Sequence, residues 1–201
     1  MFIDTLVSFL VILNPFALCL YLTGVMDDLD GGDFVRVLAW ASFLSFVIFS
    51  LFALIGKPFV VNFMEVEPSA LQIFGGVIIA VISYNYVVKG YRATVMYRGS
   101  LDDLPSAIAV PFMAGAGTIT KAMLIGQEAG PISSILVFLI SIVTCFVVVL
   151  IFRAFRESLQ KKESRVFDRY INILSRVNGL LLGAIATEMI LTGAQQLTGL
   201  K

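Results

Sequence analysis

The stretch SSILVFLISIVTCFVVVLIF, residues 133–152, decides the fold class. Its twenty residues carry no charge. As an α-helix, a run of this length rises about 30 Å, the thickness of a bilayer's hydrocarbon core. Five further apolar runs of similar length are present: Phe2–Val25, Val37–Gly56, Ser69–Val88, Ala107–Gly126 and Val177–Gln195. Over all 201 residues, 59% are hydrophobic and only 14% are charged. A water-soluble domain carries about 25% charged residues, so a wet surface is not available to this chain. The expected fold is all-α: one polytopic transmembrane domain over residues 1–201, with six transmembrane helices.

The segments between the runs are short and hold most of the charge. The first contains Asp27, Asp28, Asp30 and Asp33 around Gly31 and Gly32. It lacks the Gly and the terminal Glu that a calcium-binding loop needs. It reads as a solvated turn, with Asp33 expected to cap the next helix. Lys57, Glu65, Glu67 and Pro68 mark the second segment, and Lys89, Arg92, Arg98, Asp102, Asp103 and Pro105 the third. Gly130-Pro131 makes a tight fourth turn, and a long charged segment from Arg153 to Arg176 is the fifth. Eleven of the fourteen basic residues fall in segments one, three and five. Cytoplasmic loops retain excess Lys and Arg, which predicts N-out and C-out in the plasma (inner) membrane. The first run carries Asp4 in place of a basic n-region, and so reads as a retained helix, not a cleaved leader.

Composition also excludes function classes. There is no histidine, so no His-based triad, general base or metal ligand exists. No paired intramembrane Asp motif and no Gly-x-Ser-x-Gly elbow appears, so an enzyme is not expected and no catalytic residue is assigned. Cys19 and Cys145 lie in apolar runs without disulfide or metal spacing, and neither a cofactor nor a metal site is expected. Net charge is zero and no basic stripe with interleaved aromatics is present, so no nucleic-acid partner is expected. The remaining expected partner is the lipid bilayer, and the oligomeric state is not encoded in any pattern found.

The third and sixth runs are related. LQIFGGVIIAVISYNYVVKG (Leu71–Gly90) and LSRVNGLLLGAIATEMILTG (Leu174–Gly193) align at an offset of 103 residues. Leu71 then meets Leu174, Gly76 meets Gly179, Ile82 meets Ile185 and Gly90 meets Gly193. Within a residue or two, the same offset carries Asn14-Pro15 onto Ala116-Gly117. Residues 1–100 and 101–201 thus read as two repeats of three helices. Three is odd, so the second repeat is inverted in the membrane, the arrangement of many secondary transporters.

The matched pairs are also the places where helices one and four are expected to break at mid-membrane. Pro15 removes a backbone hydrogen bond and clashes with the preceding turn. Ala114-Gly115-Ala116-Gly117-Thr118-Ile119-Thr120 is a weak helix former rich in hydroxyls. Non-helical backbone inside a bilayer is tolerated only within protein or along a cavity. Asn14, Pro15, Gly115, Ala116, Gly117, Thr118 and Thr120 are therefore the candidate substrate-binding residues. Backbone amides and carbonyls at the breaks, with helix-end dipoles, suit a zwitterionic ligand, and a confined volume selects small side chains.

Four segments, L-N-P-F, A-V-P-F-M-A-G-A-G-T-I-T, G-G-V-I-I-A and N-G-L-L-L-G-A-I-A-T-E-M-I-L-T-G, together resemble the MarC family over nearly the whole chain. That resemblance implies a layout like the LysE-type exporters. It also implies a transporter or exporter of small neutral amino acids such as glycine or alanine, coupled to an ion gradient (Na+ or H+) and working by alternating access. Drug efflux, which the family name suggests, is given little weight. Two departures stand out: the family's Gly-Pro-Gly is Gly115-Ala116-Gly117 here, and its Gln in the sixth helix is Glu188.

Glu188 and Lys121 are the ionisable residues at depth, and an intramembrane acid reads as functional by default. Glu188 is assigned to ion coupling, either paired with Lys121 or titrating as a proton carrier; snorkelling of both to the headgroups is the plain alternative. Asn85, the repeat counterpart of Glu188, joins this set and is expected to make an interhelical hydrogen bond. A passive channel would need a continuous polar stripe that no run shows. A non-transporting membrane partner protein remains the other alternative.

Overall fold

The computed structural model describes residues 2–57, 62, 65–90, 103–158 and 161–198. Arg92, Arg98 and Asp102 of the predicted third segment, and Lys201, lie outside them. The described residues are mostly helical, with no strand among them: α1 (Phe2–Leu13), α2 (Pro15–Tyr21), α3 (Thr23–Asp28), α4 (Gly31–Lys57), α5 (Pro68–Lys89), α6 (Leu104–Ile108), one π-type turn (Ala109–Met113) kinked at the extended Val110 (φ −124°, ψ 121°), α7 (Ala116–Glu128), α8 (Pro131–Ser158) and α9 (Lys161–Thr198). Five stretches are long and apolar enough to cross a membrane: Phe2–Asp28, Gly31–Gly56, Ser69–Lys89, Pro131–Ser158 and Arg169–Thr198. These correspond to five of the six apolar runs. The other, Ala107–Gly126, is divided among α6, the π turn and α7, and no piece of it is long enough alone.

Two local expectations need correction. Asp33 lies inside the first turn of α4 and does not cap it; there the carboxylate still faces the positive end of the helix dipole. The Arg153–Arg176 segment is not a loop for most of its length. Helix α8 continues to Ser158 and α9 begins at Lys161, because its Arg, Lys, Glu and Gln residues are good helix formers. The turn at Gly130 is as expected, with φ +77° just before Pro131 opens α8.

Where α1, α4 and α8 meet, the core is aromatic. The Phe9 ring lies 5.1 Å from Phe49 and 5.0 Å from Phe138, and all three are buried. The outward faces stay apolar: Trp40, Phe43, Phe74, Val81, Leu180 and Leu181 are all exposed. A water-facing surface does not carry such a continuous apolar cover, whereas a lipid-facing one requires it.

Burial repeats along the chain. Phe34, Val37, Leu38, Ala41, Ser42, Ser45 and Phe49 are the buried positions of α4 up to Phe49. Exactly one hundred positions on, Ser134, Val137, Phe138, Ser141, Ile142, Cys145 and Val149 are buried in α8. Helices α5 and α9 share a pattern at the longer offset of 103, with Gly75, Gly76, Ser83 and Gly90 answering to Asn178, Gly179, Ala186 and Gly193. These two helices pack closely and antiparallel. A Cβ at Gly76 would meet Ile190 and Ala186, while one at Gly179 would meet Val87 and Tyr86. The contact between Gly76 and Ile190 is thus the counterpart of that between Gly179 and Val87.

At the end of α8, two arginines reach the connection between α3 and α4. Arg153 donates to the Leu29 carbonyl at 2.9 Å and stacks 4.5 Å from the Phe34 ring centre. Arg156 pairs with Asp27 at 2.6 Å. The first and fifth charged segments therefore share one face of the molecule.

Candidate functional site

At the first break, Asn14 takes the left-handed conformation, φ 48° and ψ 76°. Asparagine tolerates this region because its short polar side chain can bond locally. Here the Ala17 amide donates to Asn14 Oδ1 at 3.1 Å, and Pro15 follows as the first residue of α2, where its missing N–H is no loss. At the second break the π turn ends when the Ala114 amide donates to the Ala109 carbonyl at 2.7 Å. Ala114 (φ −95°, ψ 66°) and the extended Gly115 (φ −83°, ψ 169°) then lead into α7. The Thr118 hydroxyl lies 2.9 Å from the Met113 carbonyl and 2.8 Å from that of Gly115. It reaches the Met113 carbonyl across the interruption, while the Gly115 carbonyl also accepts from the Ile119 amide at 2.9 Å.

The two breaks face a single cavity of about 230 Å³. Asn14, Gly115, Gly117 and Thr118 all line it. Four pairs among its lining residues fall at the offsets of the burial pattern: Leu13 with Met113 and Ala17 with Gly117 at 100, then Ile79 with Leu182 and Ile82 with Ile185 at 103. The lining is mostly apolar, and its polar groups are concentrated at the breaks. Pro15 and Ala116 are the opening residues of α2 and α7. Thr120 is not among the lining residues, and its hydroxyl is buried without a hydrogen-bond partner among the described residues.

The ion-coupling candidates are not part of this lining. Glu188 is exposed and accepts from the Thr192 hydroxyl at 3.3 Å. Lys121 is half-buried, and no ion pair between it and Glu188 is present among the described residues. The Asn85 amide donates to the Val81 carbonyl of its own helix at 2.9 Å, in place of the expected interhelical bond. Glu188 is nevertheless close to the cavity in sequence: it precedes the lining residue Met189 and follows Ile185 by three positions.

Sequence reading missed Tyr21, Met113, Met189 and the isoleucines of α5 and α9 as lining residues. Apolar side chains in a membrane helix carry no local mark of the cavity they face. The offset of 103 was the available signal, since it pairs Ile82 with Ile185.

The model of MarC family integral membrane proteins matches residues 1–198. The chain belongs to the MarC family. It is an integral, multi-pass membrane protein. Among its MarC relatives, a UPF0056 membrane protein of Pyrococcus horikoshii is 25% identical over 186 residues, covering 92% of this chain and 89% of the relative. UPF0056 membrane proteins of Aquifex aeolicus and Methanocaldococcus jannaschii are each 27% identical, over 98% and 96% of this chain and 94% and 95% of those proteins. No solved structure gives a significant match.

Proposed function

We propose that this MarC protein is a secondary transporter of small neutral amino acids, of the glycine and alanine kind, working by alternating access. In this reading the chain has six spans in two inverted repeats, residues 1–100 and 101–201, with α6, the π turn and α7 forming the broken fourth span. In this reading both termini lie outside the plasma membrane, which the excess of basic residues in segments one, three and five supports. The layout is that of the LysE-like exporters, and the chain is a carrier, not an enzyme.

The observation that carries the proposal is one cavity at two helix breaks, with four pairs of lining residues at the offsets of 100 and 103. Inverted repeats bind at the repeat interface, and exchange of the two halves' conformations exposes one site to either side. The volume, about 230 Å³, is below the range of about 300–1,000 Å³ typical of sites for drug-sized ligands, which favours a small solute. Asn14, Thr118 and the backbone of Gly115 and Gly117 supply the polar groups, and the apolar walls suit a hydrogen or methyl side chain. Coupling to Na+ or H+ is assigned to Glu188, with Lys121 and Asn85.

Counterflow of labelled glycine in proteoliposomes tests the reading. Saturable exchange, competed by alanine, is the expected result. Linear, non-saturating flux would make the protein a channel, and no flux with any neutral amino acid would refute amino acid transport. The Glu188→Gln variant separates the coupling ions: its transport loses pH dependence if Glu188 carries the proton, and an unchanged pH profile removes that role.

A further inference from the structure

The two ends of the cavity are not chemically alike. Tyr21, the last residue of α2, lines the cavity. Its ring centre lies 4.7 Å from that of Tyr86 on α5, with the planes inclined by 40°. Both side chains are deeply buried, 5% and 2% exposed. The side chain of Tyr21 also neighbours that of Asn178 on α9. Helices α2, α5 and α9 therefore meet in one plug. The residues at the same offsets from the two tyrosines, 100 and 103, are Lys121 and Met189, so no second aromatic pair stands at those positions. The lining also includes Val11 and Ile12 of α1 and Ile185, all of them exposed.

Behind the plug, polar groups line up. Asn178 and Ser175 lie one and two turns along α9 from the lining residue Leu182, on the same side of the helix. Both are buried, and Asn178 Nδ2 and Ser175 Oγ have no hydrogen-bond partner among the described residues. Desolvated polar atoms without partners are unfavourable. Two in line on one helix face make sense where water or a polar solute passes for part of the cycle.

We propose that the Tyr21–Tyr86 pair is a closed gate, and that Asn178 and Ser175 line the route beyond it towards the face bearing the α3–α4 connection. The inference rests on the transport reading. It adds which end of the site is shut and which side chains shut it. Opening requires the rings to separate and Tyr21 to move off Asn178, and that amide then faces the passing solute.

Thiol labelling tests the gate without any substrate. In a background with Cys19 and Cys145 replaced by alanine, Ser175→Cys is treated with a small charged methanethiosulfonate, and Gly32→Cys in the exposed first turn of α4 serves as the accessible control. The thiol at position 175 is expected to react slowly, and at least tenfold faster when Tyr21→Ala or Tyr86→Ala is added. Equal rates with and without the tyrosines, whether fast or slow, would overturn the gate. A second arm needs neither alanine variant. Tyr21→Cys/Tyr86→Cys, oxidised to a cross-link in the same background, should lose glycine counterflow more than tenfold and regain it on reduction. Undiminished counterflow in the cross-linked protein would overturn the proposal. Counterflow absent even from the unmodified protein refutes the amino acid reading alone, and labelling then decides the gate.

Discussion

Asn14 shows how much one residue does at a break. Its left-handed backbone and its bond to the Ala17 amide turn the chain from α1 into α2. In Asn14→Ala the cap is lost, about 1 kcal/mol, and an ordinary L-residue is forced into the left-handed region, a further cost of about 1–2 kcal/mol. Asn14→Gly loses only the cap, and glycine caps cost a few tenths (about 0.3 kcal/mol) relative to asparagine. Thermal unfolding in detergent should therefore rank native above Gly above Ala. An Ala variant as stable as the Gly variant would mean that the left-handed turn is dispensable. Asn14-Pro15 was legible as a break because proline's missing donor acts locally. The left-handed turn itself was not, since asparagine also serves in right-handed helices.

At the scale of the element, the fourth run teaches the most. By hydropathy it reads as one span, yet it folds as α6, a π turn and α7. The glycines marked a weak point, but the helix is first interrupted earlier, at Val110 (φ −124°, ψ 121°), the residue before Pro111, where a following proline disfavours helical backbone. Helix α8 raises a different question, since its last turns leave the apolar zone and carry Arg153. That guanidinium donates to Leu29 and stacks on Phe34, while its partner Glu157 is 61% exposed. An exposed pair contributes about 0–1 kcal/mol, whereas a buried hydrogen bond from a charged group contributes about 1.5–3 kcal/mol. Arg153→Leu is thus expected to destabilise by about 2 kcal/mol and Glu157→Gln by less than about 0.5 kcal/mol. Equal effects in chemical unfolding would assign the stabilisation to the ion pair instead of the Leu29 carbonyl and Phe34.

Across the whole molecule, the matching burial of α4 with α8 and of α5 with α9 carries over to energetics. At Gly76, an added Cβ would lie 2.7 Å from Ile190 Cγ1 and 2.8 Å from the Ala186 carbonyl oxygen. At Gly179 the nearest atoms are Tyr86 Cβ at 3.0 Å and Val87 at 3.1 Å. Overpacking of this kind costs about 1–3 kcal/mol. Gly76→Ala and Gly179→Ala should both lower the unfolding midpoint, with Gly76→Ala lower, and a neutral Gly76→Ala would show that α5 and α9 separate readily. The offset that pairs these glycines was visible in the sequence through a few identities. The offset of 100 for α4 and α8 was hidden, because Phe34 and Ser134, or Ser45 and Cys145, share burial but not identity.

By itself the sequence determined the solvent, the helical class and the positions of two interruptions. These follow from hydrophobicity, helix length and the backbone chemistry of proline and glycine, all of which act within a few residues. Only the tertiary structure decided that both interruptions face one cavity, that Tyr21 of its lining packs against Tyr86, and that Glu188 stands outside that lining. Those outcomes depend on which faces of distant helices meet. In a chain where 59% of residues are hydrophobic, lipid and protein interior accept the same side chains, so the inward face is set by packing and not by composition.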